Sequence, residues 1–315
     1  MDNLCHTLVG AAMSRAGLRS RTRLAGATLM AAANLPDLDV LVFATSEPSI
    51  AFRRGWTHGV LAQALLPVAL VGVVLLTARR RKPSPGEPPL SVPWLLALSY
   101  LGLYSHVFLD YLNTYGIRLL APFDWHWFYG DAVFILDPWL WLTLGIGVWL
   151  SRRGASPRPA AVALLVASVY IGAMVLSASL ARSAVLTAWE SDYGSPPRAV
   201  MVGPVPVNPF ERQVIVDAGS VYRTGTFSWT SSRLRLDPRI VAKNDGHPEV
   251  AAARNESAIR AFLVWSRFPV YEMAPDQDGG VVVSVGDMRF ADLGALRDVV
   301  SRARFVARAV VPRSD

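Results

Sequence analysis

Long apolar runs decide what this chain can become. Residues 59–77 (GVLAQALLPVALVGVVLLT), 92–112, 133–151 and 159–181 are nearly free of charge, and each approaches the about 20 residues that carry an α-helix across a hydrocarbon core. Two weaker runs precede them, at 3–18 and 22–44, the second interrupted by NLPDLD. With a mean hydropathy of +0.32 and only 17% charged residues, the chain is too apolar for an ordinary soluble protein of 315 residues. The bias stops near residue 181, after which polar and apolar residues mix normally. The fold expected is a mainly α, polytopic membrane domain of about six segments over residues 1–181, followed by a small α+β soluble domain over residues 182–315.

The net charge of +7 is not spread as a nucleic-acid footprint. Its Lys and Arg residues gather in RSRTR (19–23), ARRRK (78–82) and SRRGASPR (151–158), between apolar runs, where they act as topology signals retained in the cytoplasm. No nucleic-acid partner is expected. Alternating six spans from these anchors places both the N-terminus and the C-terminal domain outside. Arg53 and Arg54 break that pattern, because they come out on the outer side. The single cysteine, Cys5, allows no intramolecular disulfide. No basic region precedes the first apolar stretch, so a cleaved signal peptide is not expected.

With orientation set by Lys and Arg alone, His6, Asp37, Asp39, His58, His106, Asp110, Asp131 and Asp137 all arrive at the outer face. An ionisable group at membrane depth is costly unless it is paired or faces a polar cavity, so this convergence points to a site. His106 and Asp110, in SHVFLDYLNTYG, are four apart and share a helix face. Imidazole and carboxylate suit zinc, and also manganese or iron. The alternative is a His and Asp bonded to each other to brace helices. In NLPDLD, Pro36 ends a helix and can turn Asp37 or Asp39 inward, or leave both in a solvated acidic loop. In RRGWTH, a cap from Thr57 and an interfacial Trp56 need no chemistry, but they do not explain His58. These carboxylates and imidazoles outnumber the ligands of one four-coordinate ion, which suggests two. Arg54 could clamp a phosphate, whereas Arg53 reads equally as a headgroup anchor. Asp124 and His126, in the aromatic stretch FDWHWFYGD, read as interfacial, and His247 as a surface loop residue.

These motifs, CHTLVGAA, NLPDLD, RGWTH, SHVFLDYLNTYG and GDAVFILDP in that order, resemble the YdjM family of bacterial inner-membrane proteins, described as membrane-bound metal-dependent hydrolases. The resemblance covers the membrane domain and reaches PVPVNPF and RFPVYE beyond it. The order of an early His, an Asp after Pro, a Thr-His pair and HxxxD is also similar to zinc-dependent phospholipases C and related helical nucleases. That similarity implies a helical zinc site hydrolysing a phosphoester, with His6, Asp37, His58, His106 and Asp110 at matching positions. The further histidines of the phospholipase pattern have no counterpart in this sequence.

Beyond residue 185, RQVIVDAG, VYRTGTFSW, GGVVVSVGDMRF and RFVARAVV read as strands, and residues 248–265 as a helix. Pro204, Pro206 and Pro209 exclude a continuous central strand in the segment that leads into them. The domain carries no nucleotide loop or nucleophile elbow, and covering or selecting substrate is its expected role.

The combined expectation is a membrane-embedded hydrolase acting on a lipid-linked or membrane-proximal phosphoester. Its metal ligands are His6, Asp37, Asp39, His58, His106, Asp110 and Asp137, its catalytic carboxylates Asp39 and Asp131, and its substrate clamp Arg54. The cofactor is a divalent metal, zinc before manganese or iron, in one or two ions. Two other classes stay open on these residues. A transporter would line a midplane pathway and show repeat symmetry. A non-enzymatic protein would recruit a partner through its soluble domain.

Overall fold

A computed structural model describes residues 1–45, 48–231, 233–290 and 306–312. Its helices are α1 (Asn3–Arg15), α2 (Ala25–Ala32), α3 (Ser49–Phe52), α4 (Val60–Arg80), α5 (Val92–Tyr111), α6 (Pro138–Arg153), α7 (Arg158–Tyr193), α8 (Pro248–Ala253) and α9 (Ser257–Leu263), with a 3₁₀ segment at Leu35–Ala44. The chain forms two compact units. One comprises Met1–Leu41, Arg53–Ser179 and Gly203–Pro209; the other comprises Val42–Phe52, Leu180–Val202 and Phe210–Asp315.

In the first unit, α4, α5 and α7 are each long and apolar enough to cross a membrane, and α2 with the 3₁₀ segment, bent by 53° at their junction, makes a fourth span if counted as one. This corrects the expectation of six. At 1.5 Å per residue, the 13 residues of α1 and the 16 of α6 reach only roughly 20 and 24 Å of a core about 30 Å thick. The run at 133–151 falls short because Asp137 caps α6 through the Trp139 and Leu140 amides and Pro138 occupies its first turn, so the preceding residues stay in a loop. Lipid suits the outward side of α4, where Leu61, Leu65, Val68, Val73 and Leu76 are exposed.

Small residues bring the helices of this bundle together. A methyl on Gly10 would lie 2.9 Å from the Leu29 carbonyl oxygen, and one on Gly102 would meet that same oxygen at 2.9 Å and Ala32 Cβ at 2.7 Å. Both α1 and α5 therefore press against α2 backbone to backbone. His6 lies four residues before Gly10 and His106 four after Gly102, so each histidine sits one helical turn from a tight contact. Basic residues gather at the far ends of these helices: Arg15 closes α1, Arg79 and Arg80 close α4, and Arg152 and Arg153 close α6.

The second unit holds two antiparallel arrangements. A four-stranded sheet runs in the order β1 (Ala199–Pro204), β2 (Glu211–Asp217), β3 (Val221–Ser228) and β4 (Arg233–Ala242), and a three-stranded sheet in the order β5 (Pro269–Pro275), β6 (Val281–Asp287) and β7 (Val306–Val311). The strands read from the sequence appear as β2, β3, β6 and β7. Those missed, β1, β4 and β5, are all edge strands carrying proline, a position where a missing N–H can be tolerated. The helix expected over 248–265 is two short ones. Met201, Ile215 and Tyr222 of the first sheet pack with Phe268 and Met288 beside the second, and the Tyr222 hydroxyl donates to the Pro269 carbonyl at 3.0 Å. The last turns of α7 contribute Ala181, Val185 and Trp189 to a core with Val214, Val216 and Phe227.

Candidate metal centre

Four of the five sequence motifs meet at one end of the first unit. The final turn of α5 delivers His106 and Asp110, the start of α1 delivers His6, the first turn of the 3₁₀ segment delivers Asp37, and the turn before α4 delivers His58. Among the described residues, Asp37, His58, His106 and Asp110 form a buried group whose ligand atoms all lie within 4.8 Å of one another and could hold a metal ion.

The protons of this group can be placed. His106 Nδ1 lies 2.8 Å from the carbonyl of Ala33, one of the carbonyls left over where α2 ends. A carbonyl only accepts, so Nδ1 carries the proton and Nε2 presents a lone pair. His58 Nδ1 faces Thr57 Oγ1 at 3.0 Å, and that hydroxyl donates onward to Asp39 Oδ2 at 3.4 Å. With the Thr57 proton on Asp39, His58 Nδ1 is the donor to Thr57 and the neutral ring's Nε2 carries a lone pair as well. The two Nε2 atoms stand 3.1 Å apart, each 3.3 Å from Asp110 Oδ2, an oxygen without a hydrogen bond. With both rings in these neutral forms, three acceptors converge and repel one another, and a cation is what such a set fits.

Surrounding groups hold the ligands still. Arg54 adopts a left-handed backbone, φ 55°, and its amide donates to Asp39 Oδ2 at 2.7 Å. Its buried guanidinium donates to Asp110 Oδ1 at 3.1 Å, Asn113 Oδ1 at 3.0 Å and the Gly116 carbonyl at 3.2 Å, while stacking on Tyr115. A phosphate reaching Arg54 would have to displace these partners. Arg53 is more open and pairs with Asp39 at 3.2 Å and Asp37 at 3.5 Å. The Met1 amine also contacts Asp110 Oδ1. His6 stacks on His106 with ring centroids 3.8 Å apart, and its Nε2 lies 3.4 Å from Asp110 Oδ1. Both His6 ring nitrogens are buried without a hydrogen bond.

Other expected residues do not join the four. Asp39 is buried beside them but its oxygens accept from Arg53, Arg54 and Thr57. Asp137 caps α6 and accepts from the Tyr170 hydroxyl at 2.9 Å. Asp131 is half-buried in a loop with φ 49°. His126 is exposed in the aromatic loop and His247 is exposed before α8. Asn113, Thr57 and Ala33, which complete the surroundings, were not singled out as site residues from the sequence, and only the cluster of motifs around them could have hinted at it.

The turn before α4 is fastened to the loop after α5, since Arg118 N donates to Arg54 O and Val60 N to Ala121 O, both at 3.0 Å. A methyl on Gly59 would come within 2.1 Å of the Ala121 oxygen, yet its φ of −75° suits any residue. Gly59→Ala should therefore cost about 1–3 kcal/mol by crowding alone and shift His58 from its partners. The thermal midpoint and the cation affinity of the variant should both fall; unchanged values in both would contradict the packing.

One curated relative, "Uncharacterized protein YfhP" of Bacillus subtilis (strain 168), is 26% identical over 131 residues, covering 41% of this chain and 37% of that protein. The chain thus spans well under half of that relative's length. No solved structure matches. Residues 1–181, which contain every member of the buried group, match the family described as YdjM inner membrane protein, and the chain belongs to that family.

Proposed function

We propose that this inner-membrane protein is a metal-dependent hydrolase that cleaves a phosphoester of a lipid or of a substrate presented at the membrane surface. The observation that carries the reading is the approach of two imidazole Nε2 atoms to 3.1 Å beside a hydrogen-bond-free carboxylate oxygen. His58, His106, Asp110 and Asp37 would hold the ion, with zinc the best match to two imidazoles and two carboxylates. Such an ion supplies Lewis acidity and a more acidic bound water. His6, buried against Asp110 with neither nitrogen in a hydrogen bond, is the ligand available to a second ion. The chain's own groups set the geometry: Ala33 and Thr57 fix the imidazole tautomers, Arg54 orients Asp110, and Arg53 balances Asp37 and Asp39.

Orientation follows the basic helix ends. If Arg79 and Arg80, at the end of the span α4, face the cytoplasm, the metal centre at its start lies toward the outside. Around the site's end, Trp56, Phe123 and Trp125 are exposed, a composition suited to headgroup depth and to a lipid substrate. A protein that only recruits a partner would not need acceptor atoms gathered around one point.

The protein purified in detergent without chelators should contain at least one equivalent of zinc, manganese or iron by elemental analysis. A metal-free preparation that takes up none of these ions on titration would refute the proposal.

A further inference from the structure

Asn113 lies three residues beyond Asp110 and is fully buried. Its Oδ1 accepts from Arg54 at 3.0 Å and from the Tyr115 amide at 2.8 Å. Both are obligatory donors, so the amide cannot be flipped without setting its NH₂ against them. The orientation of Nδ2 is thereby fixed, and Nδ2 finds no acceptor among the described residues. A buried amide donor left without a partner is a standing cost, and it falls on a side chain one guanidinium away from Asp110. Arg54 bonds Asn113 Oδ1 through one nitrogen and Asp110 Oδ1 through the other, so the free N–H belongs to the same rigid network as the cation-binding carboxylate.

We infer that Asn113 is a substrate-binding residue, its Nδ2 donating a hydrogen bond to a non-bridging oxygen of a phosphate held at the metal centre. The assignment rests on the hydrolase reading above. A phosphoryl oxygen is an acceptor that such a donor fits: Asp110 Oδ1 is taken by Arg54 and the Met1 amine, and the Asp39 oxygens by Arg53, Arg54 and Thr57. The motif SHVFLDYLNTYG then supplies two ligands through His106 and Asp110 and a neutral oxyanion donor through Asn113, within two turns of chain.

The test uses the full chain in detergent, loaded with zinc, and inorganic phosphate as the probe. Asn113→Asp keeps an oxygen for Arg54 and Tyr115 while removing the donor, and Asn113→Ala removes the donor without adding charge. Both variants should retain the cation of the wild type and bind phosphate on the order of ten- to a hundredfold more weakly. Unchanged phosphate affinity in the alanine variant overturns the assignment, as does loss of the cation in both variants, which would make Asn113 a support for Asp110. A wild type that takes up no cation fails earlier and takes the hydrolase reading with it. A wild type that holds the cation, with phosphate affinity indifferent to Asn113, sinks this inference alone.

Discussion

Replacing His106 or Asp110 with alanine should empty the protein of its divalent cation while leaving it inserted in the membrane. Removing even a hydrogen-bond partner of a metal ligand typically costs ten- to a hundredfold in affinity, so losing a ligand itself should cost more than about a hundredfold. The two substitutions differ in side effects. His106→Ala frees the Ala33 carbonyl and removes the ring on which His6 stacks. Asp110→Ala strands the buried guanidinium of Arg54, an uncompensated charge worth several kcal/mol, so that variant should also lose thermal stability. Asp110→Asn, which leaves Arg54 an acceptor, separates the two effects: cation affinity should still fall steeply while the thermal midpoint recovers most of its value. Elemental analysis and a zinc titration of each variant in detergent decide the matter, and wild-type cation content in His106→Ala would refute the site.

The other large effect belongs to the second unit. Asp287 is buried where β6 ends and accepts from the Arg267, Phe268 and Arg289 amides, the Ser266 hydroxyl and two nitrogens of the Arg289 guanidinium. Arg289 in turn stacks on Trp265 and donates to its carbonyl. Asp287→Ala leaves a buried guanidinium and several amides without partners, and should destabilise this unit by about 3–5 kcal/mol. Burial by itself would raise the Asp287 carboxyl; the Arg289 guanidinium and the converging amides outweigh it and hold the group below the ordinary carboxylate value. The sign of the pH effect follows. An aspartate depressed in the folded state contributes its full stability above the unfolded value of about 3.9 and loses it as pH falls through the lower folded value. Hydrogen exchange of the β5 and β6 amides in the full chain should therefore speed up as pH drops below about 4, after correction for intrinsic rates. In Asp287→Asn that acid sensitivity should shrink, and an unaltered pH profile would mean the carboxylate is not what couples this unit to protons.

Much of the site was legible in the sequence because chemistry-bearing residues interrupted apolar runs. His58, His106 and Asp110 have no place in a lipid-facing pattern, and spacing alone placed two of them on one face of α5. Counting spans from apolar runs worked less well. Periodicity cannot tell a run that is helical throughout from one whose first residues close a loop, and the cap at Asp137 shortened α6 accordingly. The strands β1, β4 and β5 went unread; each carries proline on a sheet edge, and an edge is a fact about neighbours that no single strand reveals.

The sequence by itself determined that the chain enters a membrane, that its polar residues fall at one end of the helices with the basic clusters at the other, and which family it belongs to; each is a property of composition and order along the chain. Only the tertiary structure decided which carboxylate does what. Asp37 and Asp110 come within reach of two imidazoles, Asp39 receives the Arg54 amide and the Thr57 hydroxyl, and Asp137 caps a helix, although all four look alike in the sequence. The reason is distance. A ligand set must close to within a few ångströms, and that closure is fixed by Gly10 and Gly102 pressing on α2 and by the loop after α5 gripping the turn before α4, contacts between residues far apart in the chain.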